Sequence, residues 1–174
     1  MKGISRPTLS DLLTSWVLAR ENANRLGART LLDFLLDEEG FAIRDIAHVM
    51  HVGVHEVRRW RRGAFPSPPP PGAEDRLADF TAMVDVLIEH GSRLARPTGL
   101  FAAPILESTV VPDCPLTPMD WYCAGRMDLI FRLLLGEDGG DLMSEFDPEW
   151  GTRYATEWEV FKNADGEMAI RPKG

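Results

Sequence analysis

Between Pro66 and Gly72 the chain reads PSPPPPG. Proline fixes φ near −65° and has no N–H, so neither a helix interior nor a central strand can pass through this run. Consecutive prolines favour an extended polyproline conformation and act as a semi-rigid spacer. The folded parts must therefore be sought on either side. Directly before the run stands VHEVRRWRRG, Val54 to Gly63, with four arginines crowded around one tryptophan. The 174-residue chain has net charge −8, yet it is not uniformly acidic. From Phe41 to Gly63 five arginines (Arg44, Arg58, Arg59, Arg61, Arg62) stand against Asp45 and Glu56, a local charge of +3. From Pro97 onward six basic residues meet fourteen acidic ones, a balance of −8. One compact basic segment in an acidic chain is aimed at an anionic partner.

Helical periodicity fills the segment before the prolines. Leu9, Leu12, Leu13, Trp16 and Val17 share a stripe, with Ser10 as the expected N-cap and Gly27 as a stop. Leu31, Leu32, Leu35 and Leu36 make a second apolar set that Gly40 ends. After the prolines, Leu77, Phe80, Val84, Leu87 and Ile88 form a further stripe, with acids in the first turn and His90-Gly91 at the end. LTPMDWYCAGRMDLIFRLLLG reads as two helices: Thr117 caps, Pro118 takes the first helical position and Gly125 separates them. In the tail, Trp158 and Val160 alternate with Glu159, Asn-Ala-Asp-Gly follows, and Met168 and Ile170 alternate again, the pattern of a small hairpin.

IAHVMHVGVHEVRRWRRG, Ile46 to Gly63, has the layout of a helix-turn-helix. Ala47 supplies the small residue where the second helix packs close. Ile46, Met50, Val52, Val57 and Trp60 supply the inner faces. With Val57 and Trp60 inward, Val54, His55, Arg58 and Arg59 face outward. An arginine fork matches guanine O6 and N7, so Arg58 and Arg59 are the expected base contacts. Arg61 and Arg62 at the helix end, and Arg44 at the start of the preceding helix, are expected on phosphates.

The segment resembles the helix-turn-helix of Xre-type regulators, with Ala47, Met50, Val52, Val57, Trp60 and Gly63 at the matching positions. LTPMDWYCAGRMDLIFRLL is similar to the TP-x-D-L…G segment of the Xre/MbcA/ParS-like antitoxins and their actinobacterial relatives, through Thr117, Pro118, Asp120 and Gly125. The resemblance covers residues 40 to 135. It implies a DNA-binding part joined to a C-terminal domain that holds a toxin of the RES-type fold, and regulators of this kind bind DNA as pairs. Two positions depart from the pattern: His51 stands where a turn glycine is usual, and Gly53 where a serine or threonine caps the second helix.

Other chemistries find little support. His48, His51 and His55 are interrupted by the turn and have no cysteine nearby to complete a metal set. EDGGDLMSEFDPE lacks the ligand alternation and closing glutamate of a calcium loop. No nucleophile motif, phosphate-binding glycine loop or dinucleotide fingerprint occurs, so neither an enzyme nor a cofactor is expected. Cys114 and Cys123 are too few for a disulfide scaffold. There is no apolar run near the ~20 residues a membrane span needs. The first residues show no secretion signal, so a cytoplasmic protein is expected.

The expected fold is mainly α, with three parts. Residues 1–65 form a helix-turn-helix DNA-binding bundle and 66–72 a linker. Residues 73–174 form an acidic α+β domain with a small β-hairpin, for partner binding or oligomerisation. The linker then holds the acidic domain away from DNA. The expected function is a sequence-specific DNA-binding regulator, a repressor or an antitoxin-like autoregulator on double-stranded DNA, with a toxin or second copy as further partner. The alternative is an interaction module whose arginine helix engages an acidic protein.

Overall fold

A computed structural model describes residues 6–63, 70–90, 96–102, 117–149 and 158–172. Residues 66–69 of the expected linker, and Cys114, lie outside them. The chain forms two compact units, Met1–Phe101 and Ala102–Gly174. It is mainly helical, and among the described residues no helix is long and apolar enough to cross a membrane.

In the first unit, α1 (Leu9–Asn24) is capped by Thr8, two residues before the expected cap Ser10. The Thr8 hydroxyl accepts from the Asp11 N–H at 3.2 Å, and the Asp11 carboxylate accepts from the Thr8 N–H at 2.8 Å. This capping box needs an acid three residues after the cap; Thr8 has Asp11, whereas Ser10 has Leu13. Hydrogen bonding from the Thr8 backbone N–H first, and from the Thr8 side chain second, holds the Asp11 carboxyl below its usual range. Helix α2 (Ala28–Asp33) runs into a π-helical turn, Phe34–Glu38, and Leu31, Leu32, Leu35 and Leu36 are all buried. Then come α3 (Ile43–Met50), α4 (Val54–Arg62), α5 (Ala73–His90) and α6 (Pro97–Ala102).

Helix α5 is central. Beyond Leu77, Phe80, Val84 and Leu87 it buries Ala73, Ala78, Thr81, Ala82, Met83 and Val86, so apolar burial runs around its circumference. Its one buried polar side chain, Thr81, donates to the Leu77 carbonyl at 2.7 Å. α1, α2 and α3 all pack on it. Phe80 meets Phe41 and Phe101 with ring centroids 5.2 and 5.1 Å away. Along α1, the Trp16 indole donates to the Asp79 carbonyl at 3.3 Å, and Arg20 reaches Asp79 and Asp75. This seam centres α1 on Leu12, Trp16, Arg20 and Ala23, which leaves Val17 51% exposed; Ile88 of α5 is likewise 50% exposed.

The division therefore differs from the one expected at residue 73. Prolines 70 and 71 enter a tight turn closed by Ala73 N–H to Pro70 C=O at 3.1 Å, with Gly72 at φ 75°. The chain then returns as α5 to the core of its own unit. Helix α5, which follows the proline run in sequence, thus belongs to the first unit.

In the second unit Thr117 and Asp120 form another capping box, with the Thr117 N–H donating to the Asp120 carboxylate at 2.8 Å. Pro118 opens α7 (Pro118–Cys123) and Gly125, at φ 80°, divides it from α8 (Met127–Leu134). Trp121, Leu129, Ile130 and Phe131 are buried, with Leu142 and Met143 of α9 (Gly139–Phe146). Arg132 joins α8 to α9, donating to Glu137 at 2.6 and 2.9 Å and to Glu145 at 2.7 Å. Its guanidinium holds both carboxyls below the usual range, and they hold its own pKa up. The acid run EDGGDLMSEFDPE is thus partly engaged by an arginine.

Strands β1 (Trp158–Lys162) and β2 (Met168–Pro172) pair antiparallel, Val160 opposite Ile170. The Asn163 side chain closes the turn, accepting from the Asp165 and Glu167 N–H groups at 3.0 and 2.9 Å. Two strands make a ribbon and not a sheet with a face for helices to cover. The expected α+β domain is therefore not what the described residues build: they form short helices and this ribbon.

Candidate nucleic-acid interface

Helix α3 separates its faces cleanly. Ile46, Ala47, Val49 and Met50 are buried; Arg44 and His48 are exposed. It ends in a Schellman-type cap, Val52 N–H to Ala47 C=O at 3.0 Å and His51 N–H to His48 C=O at 3.2 Å. This cap needs a left-handed residue, and His51 takes it at φ 58°, ψ 43°, alone among the described non-glycine residues.

Gly53 opens α4 with extended backbone and no side-chain cap. A Cβ there would lie 2.7 Å from Cε1 and 2.9 Å from Nδ1 of His55. The His55 ring folds back over the helix start and occupies the space a serine or threonine cap would need. Val57 and Trp60 are buried, as the spacing requires, and Gly63 ends the helix at φ 139°.

The outer side of α4 carries His55, Arg58, Arg59 and Arg62, all exposed, while Val54 is half-buried at its start. None of these three arginines forms an ion pair among the described residues. Arg44 on α3 has a side chain 84% exposed, with only a loose approach to its neighbour Asp45 at 3.9 Å. Arg61 differs from the expectation. Its Nη2 donates to Asp37 of the π-helical turn at 2.5 Å, and its side chain is 32% exposed. The Arg29 guanidinium of α2 donates to the Arg61 carbonyl at 3.4 Å. Arg61 thus binds the end of α4 to its own unit, and Arg29 is brought to the same end.

Arg29 and Asp37 could not be picked out from the sequence, because they lie 32 and 24 residues from Arg61 and only the tertiary fold joins them. The resulting surface is a helix with a buried apolar edge and an outer row of guanidinium groups that no acid among the described residues pairs. Such groups offer planar donor forks to phosphates, base edges or carboxylates. Comparison with protein-family models, with curated proteins and with solved structures finds no match to this chain.

Proposed function

We propose that this chain is a sequence-specific DNA-binding regulator in which α3, the turn 51–53 and α4 act as a helix-turn-helix. The observation that carries the reading is the row Arg58, Arg59 and Arg62 on α4, exposed and without acidic partners among the described residues, in a chain of net charge −8. Cations left unpaired in so acidic a chain favour an external polyanion. Arg58 and Arg59 are the base-reading residues, and Arg44, Arg62 and Arg29 reach phosphates. Val54 and His55 flank the base edges at the start of the helix. The acidic second unit serves self-association or a protein partner, the arrangement of an autoregulating repressor or antitoxin.

Fluorescence-anisotropy titration of the full chain on duplex DNA at several salt concentrations tests this reading. Each phosphate contact contributes about 0.9 to the slope of log affinity against log salt. The expected result is a steep slope together with preference for one duplex over scrambled ones. Equal competition by polyglutamate and DNA would instead favour an acidic protein as the target.

A further inference from the structure

We infer that Arg76 of α5 is a positioning residue that sets the pose of α4, an inference that rests on the DNA-reading role proposed above. The last carbonyls of a helix lack intrahelical donors. At the end of α3, those of Ala47 and His48 are taken by the Val52 and His51 N–H groups. The Met50 carbonyl, at the brink of the turn that launches α4, accepts from Nε of Arg76 at 3.0 Å. A cation suits that end of the helix dipole. Nη2 of the same guanidinium donates to the Pro71 carbonyl at 3.1 Å, in the turn just before α5.

One rigid fork therefore joins the chain just before α4 to the first turn of α5, the central helix of the unit, and is itself held by the turn that precedes α5. Gly72 makes room for the fork: a Cβ there would lie 2.7 Å from Nη1 of Arg76. Nε and Nη2 are both engaged by backbone, so the group is spent on geometry. An ammonium on a flexible stem lacks the fixed donor directions and holds neither carbonyl at a set angle.

The test uses the full chain and its Arg76→Lys, Arg76→Met and Gly72→Ala variants, on a preferred duplex and a scrambled one. If Arg76 positions α4, all three lose about tenfold in affinity for the preferred duplex, the size of one bidentate base contact. Affinity for the scrambled duplex and the salt slope stay as in the parent. If Arg76 is itself a phosphate ligand, Arg76→Met flattens the slope by about one on both duplexes while Arg76→Lys keeps parental behaviour; that result overturns the proposal.

Amide NMR spectra of Arg76→Lys without DNA give a readout independent of binding. Shifts reaching residues 50–53 and α4 support the positioning role, and shifts confined to the first turn of α5 overturn it. If the parent shows no preference among duplexes while those shifts still reach α4, the DNA reading fails and the strut survives.

Discussion

His51→Gly is expected to stabilise the first unit, although most substitutions destabilise. His51 sits at φ 58°, ψ 43°, where the Cβ of an L-residue crowds the following carbonyl. That conformation costs about 1–2 kcal/mol for a non-glycine residue, and histidine lies at the lower end because it tolerates the region better than most. Glycine removes the crowding but loses about 0.5–1 kcal/mol through its greater freedom in the unfolded chain. The difference is a gain of up to about 0.5 kcal/mol, which raises the melting temperature of a unit this size by up to about 2–4 °C. The imidazole is exposed and makes no hydrogen bond among the described residues, so little is lost with it. Far-UV circular dichroism in urea and on heating reads the effect. His51→Ala is the control, because it removes the imidazole and keeps the Cβ; it should give no gain. Equal stabilisation by both variants, or a loss with His51→Gly, would refute the backbone argument.

Trp60, 1% exposed, is expected to cost about 3–5 kcal/mol on truncation to alanine, visible as lost cooperative unfolding of the first unit. Arg58→Ala and Arg59→Ala should each cost about 1–3 kcal/mol on the preferred duplex and relax base choice, whereas Arg62→Ala should weaken all duplexes alike and lower the salt slope by about one. Arg61→Ala should instead lower stability slightly, by less than about 1 kcal/mol, because it removes a part-exposed pair with Asp37. Asp85 on α5 has its pKa raised by burial first and then by Glu39 and Glu89, so its charge opposes folding above that pKa. Asp85→Asn should therefore stabilise at pH 7, and its advantage over the parent should shrink as pH falls and the parent carboxyl protonates, which urea titrations at the two ends of that range will show.

Local signals were legible and tertiary ones were not. Thr117-Pro118 and Asp120 mark a helix start by themselves, and Gly125 marks the break after it, because caps and positive φ are short-range physics. The inner set Ile46, Ala47, Met50, Val57 and Trp60 was legible for the same reason: helical spacing on both sides of a turn leaves one consistent way to bury them. The place of α5 was not. A proline run says that the chain is extended there, and nothing about where the next helix packs. Ala73, Ala78 and Ala82 are small enough to be missed in an apolar stripe, yet they let neighbours approach on every side. At the interface the exposed arginines follow from helical phase, but the fate of Arg61 depends on a π-helical turn that carries Asp37 to it.

The most direct measurement is selection of sheared genomic fragments by the full-length chain, followed by sequencing of what is retained at physiological salt. A reading helix with Arg58 and Arg59 at base edges should enrich one short motif strongly over the input, and Arg58→Ala should blur a defined position of that motif. Retention that mirrors the input, with the arginine variant retaining the same fragments as the parent, would contradict sequence-specific reading by α4.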